Sequence, residues 1–346
     1  MRVTTRSGLV EGVITPGILA ECAAPGNRPS ADWGVRSISS FRLTAGSNID
    51  ATNVRGYYID LREKAARPDW PPSWMPYPGY HRYIGLGQFG LGSYERFLAG
   101  EGPQWLATAV SAAEMMVADQ AVQGAHDGGW PEPEDYRHTF RMRGPWLSAM
   151  AQGHCASLLV RVHRETGRPE FADAARRATR PYRVPSGQGG VQANLDGRPF
   201  PEEYPTEPAS FILNGGLYAL WGLHDVAVGL GDSEARHLYD EMLDTFVANI
   251  DRWDLGYWSR YDLYPHPGVS NAASVSYHLL HINQLRVTNM LTPRHELLDA
   301  ADRFERYASR RLDRLRGLGH KVVFRLAVPR NERIARRLPW SHAAHG

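Results

Sequence analysis

Residues 199–208 read PFPEEYPTEP: two carboxylates and a tyrosine enclosed by prolines, with an apolar run directly after them. Proline fixes φ and stiffens the chain around it. Glu202, Glu203 and Tyr204 therefore stand on a rigid loop at the mouth of a buried helix. Two readings are open. The acids are solvated turn residues, or they belong to a proton-transfer site in which acid and phenol groups are held near one substrate atom. Asn214 lies inside the apolar run, among Phe211, Ile212, Leu213 and Leu217. A buried amide without partners costs on the order of 1–3 kcal/mol. A loop carbonyl or a ligand hydroxyl would satisfy it.

Four further groups carry polar residues in apolar surroundings. Ser148 and Gln152 are four apart and share a helix face, where the small residues between them also suit a tight helix–helix contact. Trp130 ends a Gly-Gly-Trp-Pro turn that could present its indole to a sugar. Arg260 and Tyr261 follow the aromatic pair Tyr257 and Trp258. Tyr277 and His281 are also four apart on one helical face, with His278 between them. The two histidines lack a nearby third ligand, so no metal is expected there.

The rest of the sequence excludes several chemistries. There is no Ser/His/Asp order, phosphate loop or dinucleotide fingerprint, and the Gly85/Gly87 pair follows no strand. No cofactor is expected. Cys22 and Cys155 belong to no CxxC or Cys/His cluster, which indicates neither a zinc site nor a disulfide framework. A net charge of +2 argues against a nucleic-acid partner. No apolar run reaches the roughly 18 residues of a membrane span. The N-terminus shows no secretion signal, because Glu11 and Pro16 interrupt its apolar residues, and a cytoplasmic location is expected. The 10 Trp, 16 Tyr and 10 Phe suit either stacking on sugar faces or core packing.

Eight stretches place apolar residues at helical spacing. They are 84–100, 103–122, 146–167, 170–179, 210–231, 234–250, 274–290 and 295–312. Some are apolar all round and others amphipathic. Alternation of the two kinds suggests a mainly α fold, an incomplete α/α barrel (toroid) of about eight helices; a long bundle is the competing arrangement. The expected divisions are an irregular arm over 1–50, a short β and loop segment over 51–82 packing on the helices, a helical domain over 83–316 and a basic tail over 317–346. Residues 54–61 read as a strand, as do residues 320–328 (HKVVFRLAV) at the start of the tail.

Six motifs in order resemble the C-terminal domain of D-glucuronyl C5-epimerases. They are GGW (128–130), WLSAMAQG (146–153), RATRPY (177–182), EEYPTEPASFILNG (202–215), YDL (261–263) and YHLLHINQL (277–285). A weaker match over 80–98 contains Tyr80 and Gln88. The resemblance spans roughly 80–315 and implies an α/α barrel-like domain. It also implies C5-epimerisation of glucuronate to iduronate in a heparosan-like glycan, an acidic glycan partner and a possible homodimer. It carries catalytic roles onto Glu203, Tyr204, Tyr261 and Tyr277. Substrate-binding roles fall on Tyr80, Gln88, Trp130, Gln152, Asn214, Arg260, His278 and His281. One departure stands out: animal members read Tyr-Asp-Leu-Arg-His at the YDL site, and this chain reads Tyr264-Pro265 after Leu263. Arg260 is the candidate replacement. Rival readings are a uronate lyase, a glycoside hydrolase with two opposed carboxyls, and an inactive carbohydrate-binding protein.

Overall fold

The computed structural model describes residues 3–5, 8–10, 52–65, 82–133, 135–137 and 139–329. Nine α-helices lie among them: α1 (Arg82–Leu98), α2 (Gln104–Asp119), α3 (Ala149–Thr166), α4 (Pro169–Arg177), α5 (Leu213–Gly229), α6 (Ser233–Asn249), α7 (Val275–Leu291), α8 (His295–Ser309) and α9 (Arg311–Ala327). Each of the eight stretches with helical spacing forms a helix.

Burial sorts these helices into two layers. α1, α3 and α5 bury long continuous stretches, such as Leu213 to Ala227 in α5. α8 buries one stripe, Leu297, Ala300, Ala301 and Phe304, and turns its charges outward. The inner row runs α1, α3, α5, α7, and each member packs on the outer helix that follows it in the chain. The result is an incomplete α/α barrel of four helix pairs. Glycine sets the closest approach: Gly153 of α3 faces Gly222 of α5, and a Cβ on either would overlap the other helix's backbone. The α5–α7 seam is held by a hydrogen bond from the Trp221 indole to Thr288 Oγ1 at 3.0 Å. No helix among the described residues is long and apolar enough to cross a membrane.

Among the described residues there are three short antiparallel strand pairs: β1 (Val3–Thr5) with β2 (Gly8–Val10), β3 (Tyr136–Arg137) with β4 (Arg141–Met142), and β5 (Gln192–Leu195) with β6 (Arg198–Pro201). The first lies in the arm expected to be irregular. The third falls within a stretch read as loop. Its turn is Asp196-Gly197, with φ of 52° and 86°, the geometry a two-residue hairpin demands. β6 ends at Pro201, so this hairpin aims the Glu202–Glu203 loop.

Two strand expectations fail. Residues 54–61 form no continuous strand: only isolated bridges fall at Arg55 and Ile59, and Tyr57 and Tyr58 are both buried. Residues 320–328 belong almost entirely to α9, and the boundary drawn at 316 falls inside that helix. Asp313, Gly317, Lys321 and Phe324 are its buried face, spaced four, four and three. Gly317 lets this face lie directly on the Trp258 ring. Locally the Val322-Val323-Phe324 run looks like strand, but burial follows the helical period.

The 52–65 segment is anchored to the barrel by a buried ion pair. Arg161 on α3 donates to Asp225 on α5 at 2.5 Å, with both side chains fully buried. Arg161 also donates to Gly56 O at 2.7 Å, and the Tyr58 hydroxyl donates to Asp225 at 2.5 Å. Burial alone would raise the Asp225 acid, but Arg161 and His224 outweigh it and hold it below the usual range. Removing one partner would strand the other charge in the core. Asp225→Ala is expected to lower unfolding free energy by about 3–5 kcal/mol in denaturant titrations. A loss below about 1 kcal/mol would show that the pair does not anchor the segment.

Candidate active site

The loop after β6 sends its two glutamates to different tasks. Glu202 closes the loop on itself. Its carboxylate accepts from the Phe211 amide at 2.5 Å and from Ser210 Oγ at 2.6 Å. Burial raises this acid to about 7 against those hydrogen bonds. Phe211 is held at φ 48°, a conformation that costs a bulky residue on the order of 1–3 kcal/mol. Glu203 instead rests on α5. Its Oε2 is buried without a hydrogen-bond partner and lies where a Cβ on Gly215 would be. Burial pushes the Glu203 acid up to about 8, opposed by a hydrogen bond with Tyr204 and aided by the Glu202 charge. The Tyr204 ring packs between Trp146 and Phe140, at centroid distances of 5.9 and 5.3 Å.

A second loop runs alongside. The Leu213 amide donates to Tyr261 O at 3.2 Å, and the Leu263 amide donates to Ser210 O at 3.0 Å. These bonds tie Tyr261 to the start of α5. Ser274 caps α7 and fixes the first turn that carries Tyr277. The Tyr261 and Tyr277 rings meet edge to face at 4.9 Å. Tyr218, one turn after Asn214 on α5, is buried close enough to feel both Tyr277 and Glu203. Burial, then those two groups, raise its phenol well above the ordinary range. The His154 ring lies tilted against Tyr218 at 4.5 Å, and burial lowers its imidazole to about 3, so it is neutral. The cluster thus gathers Glu203 and Tyr204 from one loop, Tyr218 from α5, Tyr261 from the adjoining loop and Tyr277 from α7.

Unsatisfied buried polar atoms accompany it. Asn214 Oδ1, Gln284 Oε1 and His281 Nε2 have no hydrogen-bond partner. Gln284 Nε2 donates to Asn214 O at 2.9 Å, which sets the first two residues side by side across α5 and α7. Such atoms are costly in a core and suit sugar hydroxyls as partners.

Other candidates sit elsewhere. Trp130 is fully buried and donates its indole N–H to Met116 O at 2.8 Å. Gln152 accepts from the Trp130 amide at 3.1 Å and donates to Gly128 O and Ala178 O. The two form an internal brace, so the expected indole display on a turn is corrected. His278 stacks on Trp258 at 3.6 Å, with one ring nitrogen on Phe304 O and the other on Ser259. It is a packing residue, and Ser259 Oγ bridges it to His281. Among the described residues no group of three His, Cys, Asp or Glu could hold a metal ion. Arg260 is bridged through its backbone to Ala272, and Tyr261 follows at a bend. The Arg260 Nε is buried without a hydrogen-bond partner, and the Arg260 charge is felt at His320. Tyr264 packs against Phe140 and His266. Gln88 lies on α1 and is 8% exposed. Tyr80 lies outside the described residues.

The sequence reading missed Tyr218, Gln284 and Lys321. Tyr218 was findable, being four residues beyond Asn214 on the same helix. Lys321 arrives from α9. It donates to Asn271 Oδ1 at 2.7 Å and lies 5.7 Å from the Tyr261 ring centre.

Scaffold and site together define an α/α-barrel protein with a buried glutamate–tyrosine cluster at the ends of its inner helices. Residues 123–306 match the family model of the D-glucuronyl C5-epimerase C-terminus, over half of the chain, and the chain belongs to that family. It is 31% identical over 210 residues to a D-glucuronyl C5-epimerase of Caenorhabditis elegans, a match covering 55% of this chain and 34% of that protein. It is 29% identical over 126 residues to an uncharacterized protein of Methanocaldococcus jannaschii, covering 35% and 41%. The chain thus spans well under half the length of either relative. Two solved structures are similar at low identity. The unsaturated glucuronyl hydrolase of Bacillus sp. GL1 has a TM-score of 0.46 and 16% identity, covering 65% of this chain and 61% of that one. The cellobiose 2-epimerase of Spirochaeta thermophila has a TM-score of 0.45 and 14% identity, covering 76% and 64%.

The buried acids make stability depend on pH. The folded Glu203 acid lies near 8 against a reference of 4.5. Its contribution is complete below the reference value and is lost as pH rises through the folded value. Glu203→Gln removes that loss. Melting scans are expected to show the variant gaining on the wild type between about pH 5 and about pH 9. A constant difference across that range would place the Glu203 carboxyl in water.

Proposed function

We propose that this protein is a C5-epimerase acting on glucuronate residues of an acidic glycan, through proton removal and return at C5. The observation that carries the reading is the gathering of Glu203 and Tyr204 from one loop, Tyr261 from its neighbour and Tyr277 from α7 into one cluster around Tyr218, in a chain of this family. Heparosan-like chains are the proposed substrate class.

The C5 proton lies beside a carboxylate, so its removal builds charge on an enediolate, and the site must stabilise that charge. One acid/base group is needed on each face of the ring. Phenols titrate near 10 in water. Tyr204 shares a hydrogen bond with Glu203, whose raised pKa keeps it protonated through neutrality, so that it can return a proton to a developing phenolate. In this mechanism Tyr204, supported by Glu203, works on one face and Tyr277 on the other. Tyr261 braces Tyr277 and bonds the sugar. Asn214 and Gln284 take hydroxyl donors from the ring, and the His281 Nε2 bonds a ring hydroxyl. The neutral His154 keeps competing positive charge away from Tyr218.

The hydrolase reading loses its carboxyl pair. Glu202 is committed to Ser210 and Phe211, Asp262 to Asn271 and His266, and Asp127 to Arg180. A lyase would share the proton abstraction and then expel the C4 oxygen.

The test follows products of purified protein with heparosan oligosaccharides by proton NMR. Iduronate signals without unsaturated uronate are expected. Tyr277→Phe and Tyr204→Phe should each slow turnover at least about 100-fold with the fold intact. Unsaturated product would make the protein a lyase, and undiminished Tyr277→Phe turnover would remove that residue from the mechanism.

A further inference from the structure

We propose that Lys321 is the cation that receives the substrate carboxylate. The inference rests on the glucuronate reading above and adds a residue from a helix beyond the 123–306 stretch that defines the family.

The geometry supplies the reasons. Lys321 is 6% exposed. Burying an ammonium costs several kcal/mol unless its surroundings compensate, so a lysine serving only to fill α9's face would be replaced at no loss by an apolar residue. Its position is instead tightly specified. Asn271 Oδ1 accepts from its Nζ at 2.7 Å, and Asn271 Nδ2 donates to Asp262 Oδ2 at 2.5 Å. The other Asp262 oxygen lies 3.0 Å from His266 Nε2. This chain of bonds fixes the ammonium over the face of Tyr261, 5.7 Å from the ring centre. Tyr261 in turn lies edge to face with Tyr277 at 4.9 Å. The charge also reaches His281, one turn past Tyr277: burial first, then His278 and Lys321, drive that imidazole well below its ordinary value. Lys321 therefore stands over Tyr261, which itself meets Tyr277, and its charge is felt at His281.

Two other cations lie nearby. The Arg260 charge is felt at His320, and Arg325, one turn after Lys321, donates to Thr139 Oγ1 at 3.0 Å, whereas Lys321 is the cation over the Tyr261 ring. A cation beside the tyrosines does two things the chemistry requires. It binds the uronate carboxylate in the ground state, and it stabilises the second negative charge as C5 loses its proton. It also favours the ionised form of a nearby phenol.

The experiment measures binding rather than turnover. Calorimetry compares a heparosan hexasaccharide with its carboxyl-reduced counterpart, on wild type, Lys321→Met and Lys321→Arg. Wild type is expected to prefer the carboxylated chain by at least about tenfold, the size of a charged hydrogen bond. Lys321→Met should erase the preference while binding the reduced chain as before, and Lys321→Arg should keep most of it. If Lys321→Met does not fold, Lys321→Gln, which retains a donor for Asn271, carries the same comparison. A preference retained in the folded Met or Gln variant overturns the assignment and leaves the proposed function standing. A wild type without preference overturns the glucuronate reading, and this inference with it.

Discussion

The Glu203 carboxyl lies against the bare backbone of Gly215 at the first turn of α5, and the site is organised around that contact. Any side chain at 215 would occupy the space of the acid. The contact needs the loop to arrive from one direction, and the β5–β6 hairpin with its Asp196-Gly197 turn provides it. It needs the loop closed, and Glu202 closes it through Ser210 and Phe211. It needs an inner helix buried on all sides, so that the acid lies in a low-dielectric wall and holds its proton to about 8. Tyr204 then shares a hydrogen bond with a group poised near neutrality instead of a solvated carboxylate.

The barrel makes this arrangement affordable in stability. Unsatisfied polar atoms at Asn214, Gln284 and His281, and the Phe211 backbone at positive φ, all work against folding. Opposing them are the glycine-tight α3–α5 seam, the Trp221–Thr288 bond and the buried Arg161–Asp225 pair. These lie toward the other end of α5 from Asn214, so the helix carries reactive groups in its first turns and anchoring groups in its last. Polar strain collects at one end of the scaffold, as expected where function and stability compete.

Much of this was legible from residue order. Helical spacing located the eight helices because inner and outer members differ in how much of their surface is apolar. The proline-bounded Glu203–Tyr204 pair and the Tyr277 position were visible because their motifs are local. What failed was non-local. Trp130, Gln152 and His278 look like displayed polar or aromatic groups until their partners appear: Met116, Ala178 and Phe304, distant in the chain. Lys321 was hidden by a different effect. The β-branched pair Val322 and Val323 mimics a strand, whereas the buried face of α9 follows Gly317, Lys321 and Phe324.

Proton transfer at C5 is the central claim, and solvent deuterium reports it without assuming a product. Wild-type protein would be incubated with heparosan oligosaccharides in D2O and the C5 position followed by NMR. Deuterium appearing at C5 in both glucuronate and newly formed iduronate is the predicted result, because a proton removed by a tyrosine or glutamate exchanges with solvent before its return. Glucuronate that keeps its C5 proton throughout, with the protein folded and the glycan bound, would contradict it.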